Sequence, residues 1–219
     1  MTSTRRALSA VLAAAALAAG CGGSRAEQRP APAPQDRATA YYPLKVGHRW
    51  LYDEVAMGRA HRTWQSTVTQ QLAEGRFVME IAPVEQGVPG RAARLTLEVR
   101  PRGIFDGTRY MLEDPVEPGH KWLAITDVRT SERFEVVSLQ QTADTPAGRF
   151  VGCALVVNTI REPGNVVQLT EVTWCRDIGM VETRIRIQKP GKPDIPVSHM
   201  KLTQFHAGTQ RVYPRHLGQ

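Results

Sequence analysis

Ala93-Arg94-Leu95-Thr96-Leu97-Glu98-Val99-Arg100 decides the fold. Ala93, Leu95, Leu97 and Val99 fall on one face of an extended chain, while Arg94, Thr96, Glu98 and Arg100 take the other. A period of two with one apolar side is the pattern of an antiparallel strand covering a core. Working outward, Phe77, Met79 and Ile81 alternate with Arg76 and Glu80, and Val181, Ile185 and Ile187 with Glu182, Arg184 and Arg186. Further strand-like segments lie at 48–56, 61–72, 121–128, 132–140, 149–160, 166–176 and 197–206. Turn dipeptides separate them at Pro89-Gly90, Pro118-Gly119, Pro163-Gly164 and Pro190-Gly191. No segment after residue 40 carries a long helical period with caps. The expectation is an all-β domain over 41–206. It would be a single antiparallel, strongly curved sheet or an open or half barrel of about ten strands, with little helix.

The first residues differ in kind. Met1–Cys21 reads MTSTRRALSAVLAAAALAAGC: a basic start at Arg5 and Arg6, an apolar stretch Leu8–Leu17, then Ala18-Ala19-Gly20 before Cys21. That order is a secretory signal peptide over 1–20. The small residues before Cys21 resemble the lipobox of bacterial lipoproteins, which implies that Cys21 takes a diacylglyceryl group and becomes the acylated first residue. Two or more acyl chains hold a protein stably on a bilayer. The expected address is therefore the bacterial cell envelope, facing the periplasm, with the outer membrane favoured over the inner because Gly22 rather than Asp follows Cys21. Residues 21–40, rich in Pro and Ala and without β-branched hydrophobes, read as a disordered tether. Residues 207–219 read as a loose tail.

The 219 residues carry 28 Lys and Arg against 21 Asp and Glu, a formal charge of +7. Removing 1–20 takes away two arginines. Arg91, Arg94, Arg100, Arg102 and Arg109 crowd one region, but a modest charge and an exported address argue against nucleic acid.

Cys153 and Cys175 flank the Pro163-Gly164 turn almost symmetrically, so a hairpin there sets them opposite each other on adjacent strands. An oxidising compartment makes them an expected disulfide. No metal site and no cofactor is indicated: His48, His61, His120, His199, His206 and His216 form no ligand spacing. His199 and His206, seven residues apart on one strand, would face opposite sides. Ser138 and Ser198 lie mid-strand, expected to face solvent, and in no nucleophile elbow. Asp53-Glu54 and Glu113-Asp114 read as turn or edge charges. Trp50, Trp64, Trp122 and Trp174 read as core or rim.

Three segments carry a resemblance: Tyr42–Trp50 (YPLKVGHRW), Pro146–Cys153 (PAGRFVGC) and Thr173–Val181 (TWCRDIGMV). Together they resemble a group of bacterial envelope lipoproteins that open with Y-x-P-L-x-x-G-x-x-W and close with P-A-G-x-F-x-x-C and W-x-x-x-x-G-x-V. Cys175 stands where that group more usually has an aromatic residue, and Arg176-Asp177 replace Ala-Pro. The resemblance implies no catalytic residue. It also implies a domain similar to the half-barrels of periplasmic lipoprotein carriers, whose concave face holds acyl chains. The leading expectation is a non-enzymatic binding or assembly module, anchored to the membrane through Cys21, with a hydrophobic ligand or an envelope protein as partner. The competing expectations are an envelope-polymer hydrolase, and a structural lipoprotein recruited through a sheet edge.

Overall fold

The fold is taken from a computed structural model that describes residues 37–57, 60–125, 131–208 and, for backbone only, 210–212. The signal-peptide segment, Cys21 and His216 lie outside these residues, as does the tether up to residue 36.

Among the described residues, fourteen strands form one antiparallel sheet. They are β1 (Arg49–Ala56), β2 (Ala60–Ala73), β3 (Arg76–Glu85), β4 (Val88–Pro89), β5 (Ala93–Arg100), β6 (Gly103–Phe105), β7 (Tyr110–Glu113), β8 (Lys121–Ile125), β9 (Ser131–Thr145), β10 (Gly148–Glu162), β11 (Val166–Cys175), β12 (Gly179–Gln188), β13 (Ile195–Ala207) and β14 (Gln210–Val212). One short helix, α1 (Ala38–Tyr41), precedes them. The expectation of about ten strands fell short. The four extra strands, β4, β6, β7 and β14, have two to four residues each, too few for alternation to mark them.

The spatial order is β7-β6-β5-β3-β2-β1-β13-β12-β11-β10-β9-β8, nearly all of it hairpin-connected neighbours. The exceptions are β3 beside β5, with the short β4 between them in sequence, and β1 beside β13, which joins the two ends of the domain. The sheet curls until its edges β7 and β8 approach. They meet through side chains: the Trp122 indole N–H donates to the Tyr110 carbonyl at 2.9 Å, and the Arg109 guanidinium grips Glu132 on β9. The barrel is nearly closed, with a seam in place of a last backbone ladder.

The anticipated faces are largely observed. Leu97 pairs with Phe77 and Leu95 with Met79, and Leu97 is fully buried. Trp50, Val68, Ile104, Leu112, Val136, Val156, Val181 and Leu202 complete the interior. At one end an aromatic group closes it: Trp50 stacks on Phe205 with centroids 5.5 Å apart, and Tyr42 packs on both Trp50 and Trp174. α1 seals that end further, with Ala38 and Tyr41 fully buried and the Ala38 N–H donating to the Asp114 carboxylate at 2.6 Å. The packed domain therefore begins ahead of residue 41, inside the stretch expected to be tether. Ala38 and Ala40 are small and carry no pattern, so their fit under the barrel end leaves no mark on the sequence. Likewise, β14 pairs with β13 inside the expected loose tail, matching Phe205 with Val212.

β9 and β10 are fifteen residues each, longer than anticipated. Bulges near Phe150, Cys153 and Leu155 bend their far end into an arm. The arm's tip reaches β13, where the Ala147 N–H donates to the Leu202 carbonyl and Lys201 Nζ donates to the Asp144 carbonyl. Beneath it lie Cys153 and Cys175, joined as a disulfide between β10 and β11 and both buried.

Candidate functional site

Cross-strand partners share a face, so the registers show which side chains look into the barrel. One inward row runs Val136, Val156, Val172, Thr183, Met200 and Glu54 across β9 to β1. The next runs Phe134, Asn158, Thr170, Ile185 and Ser198, and a third Glu132, Ile160, Gln168 and Ile187. Val136 and Val156 are buried. Val172, Met200, Ile185, Ile160 and Ile187 are only half-buried, although they face inward. The concave side is thus filled at the aromatic end and open at the other. The floor of the open half presents five aliphatic or thioether side chains, with Thr170, Gln168 and Thr183 interleaved among them, and further polar groups at its border.

Those polar groups are held in place. On one border Glu54 accepts from the Trp64 indole at 2.8 Å and from the Ser198 hydroxyl at 2.6 Å. On the other, the buried Glu132 carboxylate accepts from Asn158 Nδ2 at 2.7 Å and from Arg109. The Asn158 carbonyl oxygen has no hydrogen-bond partner among the described residues. Trp122 stacks flat on Phe134 with centroids 5.0 Å apart, forming the wall beside the seam. Such a surface can hold an elongated apolar group against the floor and present donors and acceptors at its rim.

The candidate catalytic residues are kept apart. Ser198 faces the concave side, not solvent as expected, because its partner Ile185 faces inward. Its neighbour His199 lies on the convex face, where Nε2 sits 2.7 Å from the Glu182 carboxylate. His199 and His206 share that convex face, contrary to the expectation of opposite sides. A bulge at Leu51/Tyr52 gives β13 one additional residue, which resets the alternation between them. Asp53 and Glu54 also diverge, Asp53 receiving the Thr63 hydroxyl on the convex face. Glu113 binds Arg102 at 2.8 Å, and Asp114 caps Ala38. Ser138 accepts the Gln140 N–H.

Glu182 is a buried carboxylate that meets three basic side chains. It is buried under the arm, with His199, Arg184 at 2.9 Å and Lys201 at 3.7 Å around it. Burial opposes its charge, but the bonds from His199 and Arg184 outweigh that cost and hold its pKa below the ordinary glutamate value. Asp114 is the opposite case. Burial raises its pKa, and the single N–H from Ala38 offsets only part of the rise. His48 is shifted down by burial despite its bond to the Pro43 carbonyl.

Four of the five crowded arginines meet carboxylates. Arg94 meets Glu80, Arg100 meets Glu98, Arg102 meets Glu113, and Arg109 meets Asp106 and Glu132. Among the described residues no three His, Cys, Asp or Glu side chains converge as a metal site would require. No described helix is long and apolar enough to cross a membrane.

No family model matches the chain, and no curated protein matches it. Among solved structures, that of a candidate lipoprotein from Parabacteroides distasonis superimposes with a TM-score of 0.47 at 11% identity, covering 78% of this chain and 100% of that one. At that score the similarity is loose.

Proposed function

We propose that this chain is a lipid-anchored protein of the bacterial cell envelope, held through Cys21, whose half-open barrel binds a hydrophobic ligand without catalysing a reaction on it. The observation that carries the proposal is the open half of the concave face. Val172, Met200, Ile185, Ile187 and Ile160 face the interior and are only partly buried, an arrangement that costs free energy in water and is relieved when an apolar group covers it. The separation of Ser198 from His199 by the sheet itself supports a binding role over hydrolysis. The anchor is carried by the sequence of residues 1–21 alone.

Native mass spectrometry of residues 22–219 from a bacterial periplasm, followed by organic extraction, tests the ligand. An acyl species at near-stoichiometric occupancy is the expected result, reduced by Ile185→Glu on the floor. A protein that emerges bare, and that gains nothing from added fatty acid or phospholipid, removes the proposal. Labelled palmitate incorporated by the wild-type chain and not by Cys21→Ser tests the anchor separately.

A further inference from the structure

The convex face of β8, β9 and β10 has its own chemistry. Its rows are read from the registers. Ile125 stands beside Ser131, and Leu123 beside Arg133 and Thr159. Lys121 stands beside Glu135 and Val157, while Arg161 pairs with Val167 on β11 and lies diagonal to Arg133. Leu123 is 57% exposed, Ile125 73% and Val137 47%. Val137 lines a cleft of about 400 Å³ together with Lys121, Arg133, Glu135, Val157 and Arg161.

Two features set this face apart. Arg133 and Arg161 are exposed and, unlike Arg94, Arg100, Arg102 and Arg109, have no carboxylate partner among the described residues. Of the nearby described acids, Glu135 is engaged with Lys121 at 3.2 Å and Glu171 with Arg186 at 2.7 Å. Second, these guanidiniums stand next to exposed large aliphatic side chains at the sheet's edge. Unpaired cations call for an anionic partner, and exposed Leu and Ile call for an apolar one. An anionic lipid surface offers both at the same depth: phosphates for the guanidiniums, and the headgroup–acyl boundary for the aliphatic tips.

We propose that the convex face of β8–β10 is a membrane-contact surface that seats the domain on anionic phospholipid. The contact is independent of an acyl chain on Cys21 and of any ligand in the barrel. A soluble acidic polymer would use Arg133 and Arg161 but would leave Leu123 and Ile125 in water.

The test is co-sedimentation of unlipidated residues 22–219, which contain every described element, with vesicles of phosphatidylcholine or of phosphatidylcholine and phosphatidylglycerol at about 7:3. Each guanidinium near an anionic surface strengthens partitioning about fivefold, so Arg133→Glu with Arg161→Glu should weaken binding to the anionic vesicles by about twentyfold or more. Leu123→Ser with Ile125→Ser should remove the binding that persists at high salt. A control with the same charge change elsewhere, Arg91→Glu with Lys192→Glu, should keep most of it. Far-UV circular dichroism checks that each variant is folded. Three results overturn the proposal: wild-type protein left in the supernatant with anionic vesicles, equal loss in the control, or full binding by the double aliphatic variant at high salt.

Discussion

Gly179 shows how a single position fixes the closed end of the barrel. Its φ is +106°, and a Cβ placed there would meet the Trp50 indole nitrogen at 3.1 Å and the Tyr42 ring at 3.4 Å. That close approach lets the Trp50 N–H donate to the Ile178 carbonyl at 2.6 Å. Gly179→Ala must therefore distort its own backbone and displace a fully buried indole. It should cost about 2–4 kcal/mol of unfolding free energy, and Trp50→Ala about 3–5, both read from urea titrations. Glu182 supplies the pH dependence at this scale. Its carboxyl is held below the ordinary value, so the stability it contributes is fully present above about pH 5 and is lost as acid protonates it. Glu182→Gln should therefore lower stability at neutral pH and flatten the acid limb of a stability–pH curve. Unchanged slopes would mean that His199 and Arg184 do not hold the charge. Neither role was legible in the sequence. Gly179 was visible as a turn residue, but not as the neighbour of an indole 129 positions earlier.

At the scale of elements, the β9–β10 arm is the feature that strand patterns missed. Alternation marked both strands, yet the bulges that bend them and the contacts of Ala143 and Ala147 with the rest of the core depend on small residues with no period. The disulfide beneath the arm was legible because a hairpin forces its partners into register around Pro163-Gly164. Closing a loop of 22 residues, it should stabilise the domain by about 3 kcal/mol. Cys153→Ser with Cys175→Ser should lose that amount and speed amide exchange first in β9 and β10. Oxidised protein should weigh two hydrogens less than its reduced form. The edge strands offer a further check. Trp122→Phe keeps the stack on Phe134 but removes the N–H given to Tyr110, so it should cost about 1 kcal/mol and loosen β7 before any other strand. Equal exchange rates in β7 for the two proteins would show that the seam does not depend on that bond.

Across the whole molecule, the fold class followed from period-two alternation, because an amphipathic strand records its burial in its own sequence. The half-open interior did not. Inward residues such as Ile185 and Val156 look alike in the chain, and only the curl of the sheet decides which of them is covered. The candidate site was hidden for the same reason: its polar border joins Glu54 to Ser198 and Glu132 to Asn158 across large sequence separations. The seam between β7 and β8 has a mechanical consequence. A tube slit along its length resists bending almost as well as a closed one but resists twisting far less, because shear can run along the cut. Among the described residues the cut is bridged by an indole, a guanidinium and the His120 ring beside Glu113 at 3.6 Å. Slow torsional fluctuations should gather at β6–β8, while β1 and β13, diametrically opposite in the strand order, stay still.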